Sequence, residues 1–370
     1  MLENKINLYN EAKLKKFGFS EKDKVIKAKS FKEDGGTVLM LDKTDTLHVC
    51  NYSNKYGIYE KNEEDVFNDV ILVEDYVETQ LLNRCGFYCK SMSNDRENKG
   101  KRVLSMDKKA EIADLGFKLD KGYTFLVIRN GRICGILSEK YIPLDPKDIT
   151  SSFENWLTEN LFNYDFSGGM TDHMVTSLYY EIKDDFVLMP LVSKISTGEH
   201  LFTNGKMFYR LSFSENGFSS VRVDIIIKLF STKGVADDLV ITIPNVVVMK
   251  HKGDASIRGF EEKLNNKNIF EPINKTFDYI ERMGKTYIND IGKTLLGVYE
   301  NEKSLILPKK NCVSAAEALK GKSGTAMDVY LELTKIIDQQ IGNTESIINI
   351  IDAEEKKNKL MKVNYSKYDN

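Results

Sequence analysis

Between residues 207 and 260 the hydrophobic and polar positions are patterned all the way through. A strand-like run at 207–213 is followed by Ser214-Glu215-Asn216-Gly217, and the Asn-Gly pair suits a turn in which φ is positive. Val221, Val223, Ile225, Ile227 and Leu229 then alternate with Arg222, Asp224, Ile226 and Lys228. That period describes a strand with one buried face and one mostly wet face. A further strand is predicted over 239–249. It ends in Lys250-His251-Lys252-Gly253-Asp254, after which helical spacing takes over. The stretch reads as antiparallel sheet feeding a helix, with a cationic corner at the junction.

Elsewhere the pattern is shorter-ranged. Residues 1–30 read as a charged amphipathic helix followed by a Lys-rich connector, and 37–41 and 46–49 suggest two strands around a polar turn. Strands at 123–129 and 132–137 flank Asn130-Gly131, a second hairpin signal. Residues 149–161 are helical, with Ser151 or Ser152 as N-cap, and 186–192 and 201–213 return to strand. From 257 to 299 Phe260, Leu264, Ile273, Phe277, Ile280, Tyr287, Ile291 and Leu295 recur at helical spacing, and Pro272 divides the stretch. Helices are predicted over 325–340 and 344–362, and 364–370 reads as a tail.

The organisation that follows is an N-terminal α/β module over 1–90, a basic linker over 91–109, a main domain over 110–342 and a C-terminal helix and tail over 343–370. The fold class is α+β: an antiparallel sheet with helices packed on one face and a helical C-terminal region.

Charge and cysteine content narrow the function classes. Lys plus Arg number 53 against 55 Asp plus Glu, so any nucleic-acid surface must be local. The most basic window is 91–109, where six cations (Arg96, Lys99, Lys101, Arg102, Lys108 and Lys109) face three anions. Most such runs are solvated loops; the sharper reading is a mobile arm that touches phosphates. The chain opens without an apolar signal core, and no window approaches about 18 consecutive apolar residues. Five scattered cysteines suit reduced thiols, so a soluble cytoplasmic protein is expected.

Candidate chemistry is sparse. Three Gly-Lys-Ser/Thr triplets begin at Gly284, Gly292 and Gly321, but a phosphate loop needs a further glycine five positions earlier, where Tyr279, Tyr287 and Ala316 stand. Cys85 and Cys89 have no second pair to complete a tetrahedral zinc site. No nucleophile motif is present, and acidic pairs such as Asp184-Asp185 are normally solvated. Neither enzyme chemistry, a metal nor a cofactor is therefore expected. The corner Lys250, His251 and Lys252 stands where strand-end side chains and free helix N–H groups can meet a phosphate. Tyr209 beside Arg210, and Phe218 near Arg222, add aromatics to cations, the combination that holds single strands. The bland alternative makes those aromatics core and the lysines solubilising.

Four blocks also carry a resemblance. Residues 135–144, with Ser138-Glu139-Lys140-Tyr141, resemble the Ser-Asp-Arg-Tyr block of a large family of phage- and plasmid-encoded proteins of unknown function. The turn at 214–220 resembles that family's Asn-Gly-Ser turn, and Lys250-His251-Lys252-Gly253 its Lys-His-Thr-Gly block. Thr325-Ala326-Met327-Asp328-Val329-Tyr330, with Thr334, resembles its C-terminal helix. The blocks keep the family's order over roughly residues 100–340. The chain departs from the pattern at 230–234, where Cys-Asn-Gly is usual, and at Met327, where Trp is usual. A looser similarity is to phage single-strand annealing proteins of the RecT, Redβ and Erf kind.

The family resemblance implies a mobile-element protein; with the looser similarity and the cationic corner, the expected function is a phage- or plasmid-encoded DNA-transaction protein without catalytic activity, binding single-stranded DNA and promoting annealing or recombination as a homo-oligomer. The expected DNA-binding residues are Lys250, His251 and Lys252 at the corner, Arg222 and Arg210 on the sheet, and Lys99, Lys101 and Arg102 in the basic arm. The alternatives are a protein that inhibits or recruits a host defence factor, and a virion structural protein.

Overall fold

The computed structural model describes residues 141–369 with short interruptions, together with strand backbones within 24–73 and 123–138. The chain forms two compact units. The first comprises Met1–Leu144, Ser214–Ser219 and His251–Ala255; the second comprises Asp145–Phe213, Ser220–Lys250 and Ser256–Asn370.

In the first unit, strands β1 (Lys24–Glu33), β2 (Gly36–Leu41), β3 (Asp45–Tyr52), β4 (Lys55–Lys61), β5 (Phe67–Val73), β6 (Tyr123–Arg129) and β7 (Arg132–Ser138) close a barrel in the order β1-β2-β3-β4-β5-β7-β6. The hairpin β6–β7 closes it, β6 pairing antiparallel with β1 and β7 in parallel with β5. The units therefore divide after Leu144, beyond the boundary expected near residue 90.

The second unit is α+β. Strands β8 (Tyr164–Thr171), β9 (Thr176–Ile182), β10 (Phe202–Phe213), β11 (Val221–Ser231) and β12 (Leu239–Met249) form a five-stranded antiparallel sheet in sequence order. Helix α1 (Pro146–Glu159) starts where Asp145 accepts the Lys147 N–H at 2.7 Å and Pro146 opens the first turn. The cap is thus Asp145, while Ser152 lies inside the helix and donates to Glu261 at 2.8 Å. The buried α1 stripe packs on the sheet: Phe153 meets the rings of Tyr180 and Tyr209 edge-on, and Trp156 meets Tyr209. Helix α2 (Met189–Ile195) replaces the strand expected over 186–192, burying Leu188, Val192 and Ile195 at helical spacing.

Helices α3 (Ile257–Asn265) and α4 (Phe270–Lys285) break at residues 266–269, so Pro272 sits in the first turn of α4, where its missing N–H costs nothing. Next come α5 (Ile291–Asn301), α6 (Lys309–Leu319), α7 (Ala326–Ile341) and α8 (Ile347–Met361). A two-residue ribbon joins β13 (Tyr287–Ile288) to β14 (Gly324–Thr325). The expected tail is a structured strap: a 3-10 turn, Tyr365–Tyr368, whose Tyr365 is buried.

Helix α8 covers the sheet face opposite α1. Arg210 and Asp224 face each other across β10 and β11, and both are 0% exposed. The Arg210 Nε and Nη2 donate to Asp224 Oδ2 at 3.0 and 2.7 Å, and its Nη1 donates to Glu354 of α8. Arg222 donates to Asp224 and, at 3.1 Å, to Glu355. A register shift in β12 holds Asn245 at φ 58°, tolerable for Asn, and aims its N–H at Asp224 at 2.7 Å. Asn358 of α8 donates to the Thr242 carbonyl at 3.1 Å. The face expected to be wet is therefore closed by a charged, hydrogen-bonded lid.

Removing one member of a buried ion cluster strands its partners, so Asp224→Ala is expected to cost about 3–5 kcal/mol. The readout is the urea midpoint. Replacing Arg210, Asp224 and Glu354 together with apolar residues of similar volume should recover most of the loss. An Asp224→Ala cost below about 1 kcal/mol would mean that the cluster is effectively hydrated.

Candidate nucleic-acid interface

The structure separates the residues expected to bind DNA. Arg210 and Arg222 lie under α8 with their guanidinium groups engaged by carboxylates, so neither presents a free cation on the surface. Burial raises the Glu354 carboxyl, and the Arg210 charge opposes that rise. Tyr209 points to the other face, fully buried among Phe153 and Trp156, which is the core role. Lys250 and Lys252 are exposed. Lys99, Lys101 and Arg102 lie outside the described residues, as do Cys85 and Cys89.

His251 is a buried strut. Its ring stacks on Tyr141 with centroids 4.8 Å apart, its Nδ1 lies 3.1 Å from the Ile142 carbonyl, and its own carbonyl accepts the Ile142 N–H at 2.8 Å. A carbonyl can only accept, so Nδ1 carries the proton. Burial, partly offset by that bond, holds the imidazole below its ordinary value. His251 is thus a neutral packing group at pH 7 and supplies no phosphate-binding charge.

A second basic surface emerges from the three Gly-Lys-Ser/Thr triplets, which converge around the β13–β14 ribbon. Tyr287 pairs with Thr325 and Ile288 with Gly324. The Ile291 N–H donates to the Lys322 carbonyl at 2.9 Å, and the Ala326 N–H to the Thr286 carbonyl at 2.8 Å. Gly292 permits the close approach of α5 to α6: a Cβ there would stand 2.3 Å from the Ala316 carbonyl oxygen and 2.8 Å from the Lys320 nitrogen. Gly321 makes a left-handed turn at φ 73°.

Each triplet thus serves a helix boundary, and their lysines, Lys285, Lys293 and Lys322, are exposed on the segments that meet at the ribbon, as is Lys320 just before the third triplet. Tyr287, grouped with the core positions by spacing alone, is 63% exposed because it stands on the two-residue strand. Lys285 pairs with Glu281, whereas Lys293, Lys320 and Lys322 form no ion pair with any described residue. Asp290 caps α5, accepting from Lys293 N at 2.9 Å, and donors from Lys293, Gly321 and Gly292 hold its carboxyl below the ordinary value.

Among the described residues no group of three His, Cys, Asp or Glu side chains could hold a metal. Cys312 is a free, buried thiol that burial pushes up to about 11, too high for a reactive thiolate at pH 7. The surface can bind anions and stack flat rings; it carries no nucleophile–base pair.

The His251 strut predicts a pH response. Its folded pKa lies below the unfolded value of 6.5, so the unfolded chain takes up the proton first. The stability it contributes is fully present above pH 6.5 and declines as pH falls below that value. An NMR titration of the His251 ring should give a midpoint below 6.5, and His251→Phe should flatten the acid side of the stability curve; a midpoint at or above 6.5 would contradict the strut.

Comparison of the chain with protein families, with curated proteins and with solved structures gave no match.

Proposed function

We propose that the chain is a non-catalytic DNA-transaction protein of phage or plasmid type that holds single-stranded DNA and, as an oligomer, promotes annealing. The observation that carries this reading is that the chain segments meeting at the β13–β14 ribbon bear the exposed Lys285, Lys293, Lys320 and Lys322, and that Tyr287 on the ribbon itself is exposed. Cations tracking a phosphate backbone beside an aromatic platform hold single strands without sequence preference. The four sequence blocks at 135–144, 214–220, 250–253 and 325–334 support the mobile-element assignment. Lys250 and Lys252 remain as secondary phosphate contacts. Among the described residues no helix is long and apolar enough to cross a membrane.

One observation favours a second reading, an interaction protein acting on a host factor. Ile306 is 71% exposed and held at φ 48°, a conformation costly for a β-branched side chain. Strain of this kind at an exposed apolar tip suits a protein contact.

Fluorescence anisotropy with labelled single- and double-stranded oligonucleotides of about 40 nucleotides, over a salt series, decides between them. The DNA reading expects tight, salt-sensitive binding that favours the single strand. Lys293→Glu with Lys322→Glu should weaken it at least about tenfold and flatten the salt dependence, and Tyr287→Ala should cost about 1–3 kcal/mol. Binding lost in Lys250→Glu with Lys252→Glu but kept in the first pair would move the site to the corner. No binding even at low salt leaves the host-factor reading in front.

A further inference from the structure

Helix α8 leaves part of its charge uncommitted. Glu354 and Glu355 go to the arginines of the sheet, and Lys357 donates to Asp338 of α7. Asp352 and Lys356, on the same helix, form no ion pair or side-chain hydrogen bond with any described residue. Residues four apart on a helix are neighbours, and an acid–base pair at that spacing commonly closes. Elsewhere in this unit it does: Arg258 with Glu262, Lys275 with Glu271 and Lys285 with Glu281 are bridged at 3.1, 2.6 and 2.5 Å.

The two open groups line one cleft of about 280 Å³ between the end of α7 and the N-terminal part of α8. Ile337 and Ile341 of α7, with Ala353 of α8, supply its apolar lining. Two carboxamides, Gln340 and Asn349, complete the polar lining, and their side chains likewise make no hydrogen bond with a described residue. Partial desolvation raises the Asp352 carboxyl above its ordinary value; Glu355 adds to the rise, and Lys356, Arg222 and Lys359 oppose it. An apolar pocket with a few converging polar groups is the usual form of a small-molecule site. Pockets for drug-sized ligands run from about 300 Å³ upward, so the occupant here is smaller.

We infer that this cleft binds a small zwitterion, an apolar α-amino acid in its free form. Asp352 receives the ammonium, Lys356 the carboxylate, and the ligand's side chain lies on Ile337, Ile341 and Ala353. A purely anionic ligand would be held by Lys356 with Asp352 repelling it, and a purely cationic one by Asp352 with Lys356 repelling it. A zwitterion satisfies both groups at once, and the amides of Gln340 and Asn349 can donate to its carboxylate. The cleft shares no residue with the basic surface, so the inference stands whether or not the chain binds DNA.

The test is isothermal titration calorimetry on the full chain with L-leucine and L-phenylalanine. Beside them stand two analogues of leucine: isoamylamine, which lacks the carboxylate, and isocaproate, which lacks the ammonium. Leucine or phenylalanine should give saturable binding, and both analogues should bind at least about tenfold more weakly than leucine. Asp352→Asn and Lys356→Met should each weaken the amino acid by at least about tenfold. Neither change should move the Tm of the unliganded chain appreciably, since neither side chain has a partner to lose. NMR methyl signals of Ile337, Ile341 and Ala353 should shift on titration. Three results overturn the inference: no saturable binding of either amino acid, analogues that bind as tightly as leucine, or binding unchanged in Asp352→Asn and Lys356→Met.

Discussion

Asp224 is the point on which the second unit turns. Its carboxylate, fully buried, accepts from Arg210, from Arg222 and from the backbone N–H of Asn245. A charge taken that far from water persists only when its partners are fixed around it, so the requirement propagates outward. Arg210 needs Glu354 and Arg222 needs Glu355, which places α8 on the sheet in one register. Lys357 ties α8 to Asp338 of α7, and α7 begins at the β13–β14 ribbon. From the far end of α8 the strap runs to Asn289 and Thr294 at the start of α5. The position of the basic surface is therefore linked, helix by helix, to one buried carboxylate.

How much of this the sequence discloses depends on the range of each signal. Period-two alternation at 221–229 and the Asn-Gly turns act over a few residues, and the strands they specify are present. The reading of Arg222 and Asp224 as a wet face fails because α8, more than a hundred positions away, covers them: Glu355 takes Arg222, and Glu354 takes the Arg210 that binds Asp224. Alternation reports polarity and not exposure, and a buried ion cluster is polar. The run at 186–192 has strand-like composition, yet burial at Leu188, Val192 and Ile195 requires a helix, a case of tertiary packing overriding local preference. The strap read as tail because 364–370 is polar; its order comes from Tyr365, Tyr368 and Asp369 finding partners in α5 and α8.

The candidate surface shows the same limit more sharply. Each Gly-Lys-Ser/Thr triplet, taken alone, lacks the upstream glycine of a phosphate loop, and each has a local structural duty. Their convergence is a property of the α5–α6 crossing and of a ribbon two residues long, below the length at which sequence pattern carries weight. The helical spacing that groups Tyr287 with Phe277, Ile280 and Ile291 runs across a point where helix α4 has already ended.

Whether those lysines belong to the fold can be argued from what their charges do. Lys183, Lys206, Lys357 and Lys275 each face a carboxylate and so have a structural account. Lys320 follows the end of α6, where a cation complements the helix dipole, and that alone explains it. Lys293 has no such account. It stands in the first turn of α5, at the positive end of the dipole, where a cation is unfavourable by about 0.3–1 kcal/mol. Two carboxylates stand at the same helix start, Asp290 as cap and Asp369 from the strap. Both carboxylates accept from backbone N–H groups, so the start of α5 would use them whatever side chain stood at 293. Lys293 is thus an exposed cation at the unfavourable end of its helix that forms no ion pair with any described residue, and it is this absence of a structural duty, rather than its charge alone, that sets it apart from the paired lysines.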